Sequence, residues 1–282
     1  MPSVILYDLI PTSSTPPGPS FSPFCMRARL ALLRKGIEFE TRFVTYHEMR
    51  FGGWKEKLGN VDLVTAPIIQ KPDGTYLMDS TDIALWLDET FPSGPNLFLP
   101  GPTSVDLESD EYKSTVQSFD TVFKGEHLSD LATATGIRRR GDFWCGVFWL
   151  YARRIVNLFD KETEEYWIDD ARLGEGTFKS VLTTDQDELV EIVRAGVEKL
   201  SAHLEKTNQV FFSSKDEPGM TDFALFGDLQ LIRSVSPRLF KECFLVTKSE
   251  ESKGFREWVE RMDEMFPMKD VRERDRKEKV EL

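Results

Sequence analysis

Ser22 carries a hydroxyl where the chain has the chemistry of a helix N-cap, and Pro23 suits the first helical position, where a missing N–H is no loss. Phe24, Ala28, Ala31 and Leu32 then recur on one face at helical spacing, with Arg27, Arg29, Arg34 and Lys35 spread along the segment and Gly36 as its stop. This arrangement puts a hydroxyl at the positive end of a helix, beside backbone N–H groups that the helix cannot pair itself. The chemistry it offers is stabilisation of a thiolate or another anion. The element that must hold it is the apolar run Val4-Ile5-Leu6-Tyr7-Asp8-Leu9, whose length and composition predict a buried strand.

Other reactive side chains are sparse. Three cysteines, Cys25, Cys145 and Cys243, are too few and too uneven for a disulfide framework. Cys25 falls a turn into the helix after Ser22, where a thiol serves either as packing or as a reactive group. His47, His127 and His203 lie far apart, and no Cys/His spacing suggests a metal site. The net charge of −12 argues against nucleic acid and acidic membranes as partners. Arg138-Arg139-Arg140 is a local exception that reads as a solvated turn or an anion site. No window approaches ~18 apolar residues. The start of the sequence leads straight into a strand without a basic, signal-like segment, so the expected compartment is the cytoplasm.

The elements divide into two kinds. Residues 1–92 alternate strand and helix. Ile10 to Phe21 forms a long Pro/Ser/Gly-rich loop that is a candidate substrate lid. Glu38 to Thr45 is a second strand, and His47 to Leu58 is ambiguous because Gly52-Gly53 interrupts any helix there. A strand starts at Ala66-Pro67, and Pro72-Asp73-Gly74 turns it into Thr75 to Met78. Ser80 is then expected to cap a helix bearing Ile83, Ala84, Leu87 and Phe91. After a linker over 93–104, residues 105–268 are expected to be helical. The helices are predicted over Asp142 to Asp160, Thr184 to Lys206, Gly219 to Ser234 and Glu251 to Met265. Residues 269–282 are nearly all charged and read as a tail.

Four features in this order resemble those of a cytosolic glutathione transferase. They are Ser22-Pro23 after the first strand, Ala66-Pro67 before a strand, Asp79-Ser80 after the hairpin, and Gly219-Met220-Thr221-Asp222-Phe223 opening a helix. The resemblance implies an α/β thioredoxin-like N-terminal domain followed by an all-α C-terminal domain. The Ser-Pro-aromatic start, the loop before it and Leu97-Phe98-Leu99-Pro100-Gly101 resemble the etherase-like branch, which includes bacterial lignin β-etherases and related fungal-specific glutathione transferases.

By this resemblance glutathione is the co-substrate, and Ser22 donates its O–H to the glutathione thiolate. A thiol near pKa ~8.5 is only a few per cent ionised at neutral pH, and lowering it by about two units is worth ~2.7 kcal/mol. Pro67 would be cis, Ala66 would pair through its backbone with the cysteinyl unit, Asp79 would take the γ-glutamyl ammonium, and Ser80 with its helix N-terminus the adjoining carboxylate. The family more often has Glu or Gln where Asp79 stands. His47, Lys55 and Lys57 are candidates for the glycyl carboxylate. Tyr7 rivals Ser22, because several classes use a tyrosine at the end of this strand. Ser22-Pro23-Phe24-Cys25 also looks like a glutaredoxin dithiol motif with its first cysteine replaced. Asp222 matches a buried structural acid, although Gly219 stands where a Ser or Thr is usual.

The function expected is transfer of glutathione to a hydrophobic aromatic electrophile, of β-aryl ether type, by a homodimer with detoxifying character. A non-catalytic carrier of aromatic ligands and a thiol–disulfide reductase are the alternatives. The aromatics between Phe143 and Tyr151 either line the electrophile pocket or pack the core.

Overall fold

The structure is a computed structural model and describes residues 4–11, 21–101, 105–123, 143–173, 176–246 and 252–267. Residues 12–20 of the candidate lid, Arg138–Arg140 and the charged tail lie outside the described residues. The N-terminal part runs β1 (Val4–Ile10), α1 (Pro23–Arg34), β2 (Phe39–Thr45), α2 (Tyr46–Phe51), α3 (Trp54–Lys57), β3 (Ile68–Gln70), β4 (Tyr76–Met78) and α4 (Ser80–Thr90). The strands form one mixed sheet in the order β2-β1-β3-β4. β1 is parallel to β2, with Tyr7 opposite Arg42, and antiparallel to β3, with Tyr7 opposite Ile68.

Alternation along β1 gives the sheet two faces. Val4 and Leu6 pack into the main core with Met26 and Leu30 of α1 and Ile83 and Leu87 of α4. Tyr7 and Leu9 join a second cluster with Met49 of α2 and Trp54 of α3. Gly52-Gly53 divides the ambiguous segment into two short helices, and Gly53 takes a φ of 74° that a side chain would resist.

The helical part comprises α5 (Asp110–Phe123), α6 (Phe143–Ile155), α7 (Lys161–Ile168), α8 (Asp170–Leu173), α9 (Thr177–Thr183), α10 (Gln186–Thr207), α11 (Met220–Val235), α12 (Pro237–Phe240) and α13 (Lys253–Met265). A π-helical turn, Lys241–Leu245, follows α12. The stripe Leu189, Val193, Val197, Leu200 and Leu204 is buried along α10, as the spacing predicts. α5, α7, α8, α9 and α12 are helices that the sequence reading does not contain.

α1 lies between the sheet and α11, and for that reason it is buried nearly all round, Arg27 included. Arg27 reaches Asp228 of α11 at 3.6 Å and lies 4.5 Å from the centre of the Phe24 ring. A Cβ at Gly227 would sit 2.8 Å from the Pro23 carbonyl, so only glycine lets α11 approach the start of α1 this closely. Behind α1, Lys35 Nζ meets Asp88 of α4 at 2.7 Å in full burial. Tyr112 of α5 donates to the same carboxylate at 3.0 Å and the Leu97 N–H at 3.1 Å, which ties the linker and α5 to the sheet layer. Such a pair is costly to break, because either partner alone would be a buried, uncompensated charge.

Gly219 is the N-cap of α11 for a steric reason: a Cβ there would fall 2.6 Å from the Leu97 carbonyl. Asp222 takes over the satisfaction of the turn, accepting from the N–H groups of Phe212 (2.8 Å), Ser213 (3.0 Å) and Gly219 (3.1 Å) and from Trp258 Nε1 (2.9 Å). Burial nevertheless pushes its carboxyl above the usual range, the hydrogen bonds opposing.

Candidate functional site

Ser22 is the N-cap of α1, with φ −114° and ψ 121°, and its Oγ accepts from the Cys25 N–H at 3.3 Å. The Met26 N–H reaches the Ser22 carbonyl at 3.0 Å. Pro23 has no N–H, so the Phe24 N–H is the donor of this first turn left without a partner among the described residues. Ser22 is 4% exposed, and a hydroxyl donor at a helix N-terminus is worth more in such a dry setting than in water.

The Ala66–Pro67 peptide is cis. β3 begins only at Ile68, so Ala66 precedes the ladder. The Pro67 carbonyl accepts from the Asp79 N–H at 3.2 Å, which brings the start of β3 against the start of α4. β1 runs antiparallel to β3 and ends beside this junction, and the same end of β1 leads through the loop to Ser22. Ser22, Ala66–Pro67 and Asp79–Ser80 therefore lie along one end of the sheet.

The geometry corrects one expectation. Asp79, not Ser80, caps α4: its Oδ1 accepts from the N–H groups of Thr81 (2.7 Å) and Asp82 (3.4 Å), and Ser80 is the buried first helical residue. A carboxylate is as good a cap as a hydroxyl, and the helix starts one residue earlier because Asp79 turns the chain sharply. Its φ of 80° with ψ 132° is an uncommon conformation for a residue with a side chain and stores about 1–3 kcal/mol.

The remaining candidates fall elsewhere. Tyr7 is packed edge-on to Trp54, ring centres 4.5 Å apart, on the α2–α3 side of the sheet. Burial, and then Tyr76, raise its phenol above the ordinary range. Cys25 is wholly buried, and burial, followed by the charge of Asp8, pushes its thiol well up, which makes it a poor nucleophile. Lys57 sits over the Trp54 ring at 4.6 Å. His47 turns toward Glu162 of α7 at 3.3 Å, both side chains exposed. Phe143 and Tyr151 are buried in the core, while Phe148 and Trp149 are partly buried against it. Among the described residues no cluster of His, Cys, Asp and Glu could hold a metal ion, and no helix is long and apolar enough to cross a membrane.

One participant at this site has no local signature. Tyr151 of α6, 2% exposed, donates from its hydroxyl to the Phe21 carbonyl at 2.8 Å, directly before Ser22. The contact joins residues 130 apart in sequence, and only the fold reveals it.

Two family models match the chain in order: the glutathione S-transferase N-terminal domain over residues 21–90 and the glutathione S-transferase C-terminal domain over residues 167–261. The two matches together take in more than half of the chain. The chain belongs to the glutathione transferase family. Solved members of the family share its architecture across nearly the full length. Two glutathione S-transferases of Ceriporiopsis subvermispora, CsGST63524 and CsGST83044, each in complex with glutathione, superpose with TM-scores of 0.61 and 0.60 at 20% and 18% identity. The first match covers 95% of this chain and 98% of that one, the second 93% and 97%. Glutathione transferase GSTFuA3 of Phanerochaete chrysosporium matches with a TM-score of 0.61 at 18% identity, covering 93% of this chain and 96% of that one. No curated protein matches the chain. The family fold, a small mixed sheet followed by a helical domain, accounts for the whole order of elements above.

Proposed function

We propose that this family member is a glutathione-dependent transferase that activates the glutathione thiolate at Ser22. The observation that carries the reading is the alignment of the Ser22 N-cap, the cis Ala66–Pro67 peptide and the Asp79 N-cap along one end of the sheet. In this reading the Ser22 hydroxyl and the Phe24 N–H both donate to the sulfur. Two donors in a low-dielectric site suffice for the ~2.7 kcal/mol that a two-unit fall in thiol pKa requires. The backbone of Ala66, outside the β3 ladder, pairs with the cysteinyl unit as an added strand. The Asp79 carboxylate takes the γ-glutamyl ammonium, and the start of α4 at Ser80 takes the adjoining carboxylate.

The thiolate then attacks the electrophilic carbon of a hydrophobic aromatic substrate, and the bond from that carbon to its leaving oxygen breaks if the substrate is a β-aryl ether. The Ser22-Pro23 start and the long loop before it support the etherase-like or fungal-specific branch. The buried Cys25 disfavours thiol–disulfide exchange. Its free, buried thiol and that of Cys243 fit the cytoplasm.

A homodimer is proposed on the groove of about 730 Å³ between α4 and α5. It is floored by Leu77, Leu85, Trp86 and Val116, and Lys71 and Asp82 on its rim allow like faces to meet with opposite charges.

The deciding experiment titrates the thiol of bound glutathione by ultraviolet absorbance in wild type, Ser22→Ala and Tyr7→Phe. Ser22→Ala should raise the pKa by at least about one unit, a tenfold loss of thiolate. It should also slow conjugation of a generic aromatic electrophile, and Tyr7→Phe should do neither. The opposite ranking in folded proteins moves the role to Tyr7. Absence of calorimetric binding at millimolar glutathione refutes the whole reading.

A further inference from the structure

α1 is held by the helical domain along its length, through Asp228 on Arg27, Glu217 on Arg34 and the close approach of Gly227 to Pro23. At its N-terminus the Tyr151 hydroxyl also donates to the Phe21 carbonyl at 2.8 Å. Burial pushes the Tyr151 phenol well above its ordinary range, so it stays protonated and remains a donor at any working pH. Its ring is fixed against Trp167, centres 6.2 Å apart and nearly edge-on, and against Phe148 at 6.5 Å. The hydroxyl therefore has little freedom.

The peptide unit is planar, so the direction of the Phe21 carbonyl also sets the direction of the Ser22 N–H and the origin of the Ser22 side chain. Ser22 has one rotatable bond between that backbone and its Oγ, which accepts from the Cys25 N–H, lies within reach of the Cys25 thiol, and in this reading must also be aimed at the glutathione sulfur. A small swing of the Phe21–Ser22 peptide is enough to spoil one of these contacts.

We propose that Tyr151 is a positioning residue, through which the helical domain aims the Ser22 hydroxyl of the thioredoxin-like domain. The inference rests on Ser22 as the thiolate's donor. Its consequence is that docking of the two domains is a condition of thiol activation and not only of substrate binding.

The experiment titrates the bound glutathione thiol in wild type, Tyr151→Phe, Ser22→Ala and the double variant, and measures kcat and KM for glutathione alongside. Phenylalanine keeps the ring contacts and removes only the donor. The expected result is a rise of about one pKa unit and a tenfold lower kcat for Tyr151→Phe, with KM for glutathione within about twofold. Tyr151→Phe should have no further effect on the Ser22→Ala background, since a positioning residue has nothing left to aim. Incorporation of 4-aminophenylalanine at position 151 restores a donor and should return the pKa toward wild type. It is also the variant to use if Tyr151→Phe does not fold.

If Ser22→Ala raises the pKa and folded Tyr151→Phe leaves it unchanged, the inference is overturned and the serine reading stands. An additive further rise in the double variant overturns it as well. If Ser22→Ala itself is silent, the serine reading fails and the inference fails with it.

Discussion

Asp79 offers a test in which stability and affinity move in opposite directions. Its φ of 80° with ψ 132° costs about 1–3 kcal/mol, because a Cβ crowds the backbone there. Replacing it with glycine removes that strain. The losses are modest: a glycine N-cap is only a few tenths of a kcal/mol poorer than aspartate, and greater freedom of the unfolded chain takes back about 0.5–1 kcal/mol. Asp79→Gly should therefore be more stable than wild type by about 1 kcal/mol, or roughly 2–4 °C in Tm. Asp79→Ala keeps the Cβ and loses the bonds to Thr81 and Asp82, so it should fall by about 1–2 kcal/mol. Both variants lose the ammonium's partner, worth about 1.5–3 kcal/mol for a hydrogen bond between charged groups, and glutathione binding should weaken roughly ten- to hundredfold in each. Thermal melts without glutathione and calorimetry with it give the two readouts. A glycine variant no more stable than the alanine variant, or one that binds glutathione as wild type does, would show that the backbone at Asp79 is not held in tension for binding.

The remaining predictions concern assembly and alkaline stability. Trp86→Glu places a charge on the floor of the α4–α5 groove and should turn a dimer into a monomer in sedimentation experiments; a wild-type protein that already sediments as a monomer removes the dimer proposal. Burial raises the Cys25 thiol and raises that of Cys243 to about 12, so the unfolded chain releases these protons first as pH rises. Stability is whole below the unfolded thiol value and declines above it by about 1.4 kcal/mol per pH unit for each thiol. Urea unfolding between about pH 8 and pH 10.5 should show this decline, with a shallower slope in Cys243→Ala. Parallel curves for the two proteins would count against it.

What was legible in the sequence was mostly what neighbouring residues decide among themselves. The Ser22-Pro23 helix start, the Pro72-Asp73-Gly74 turn and the α10 stripe depend on spacing within a few residues, and they lie where the pattern puts them. α5 is absent from the sequence reading although Tyr112, Val116 and Phe119 recur along it at helical spacing, with Tyr112 and Phe119 buried. α7 and α9 are short, and their burial against the rest of the helical part, not a strong period of their own, stabilises them. The sequence puts the cap of α4 at Ser80, one residue late, because Ser80 and Asp79 have equally good capping chemistry. Only the backbone angle at Asp79 separates them.

The site follows the same division. Which groups are present at the end of the sheet can be read from dipeptides, but what aims them comes from partners far away in the chain. Tyr7, in the middle of β1, and Ser22, beyond its end, both carry hydroxyls, and composition does not rank them. Strand alternation turns Tyr7 toward Trp54, while Ser22 caps the first turn of α1. Tyr151 fixes the peptide before Ser22 from another domain, and Gly227 lets that domain come close enough to do so. A sequence read locally therefore offers the donor proposed above but not its orientation. Orientation is what converts an ordinary helix cap into a site that can hold a thiolate, because a hydroxyl rotated away from the sulfur contributes only to the helix it caps.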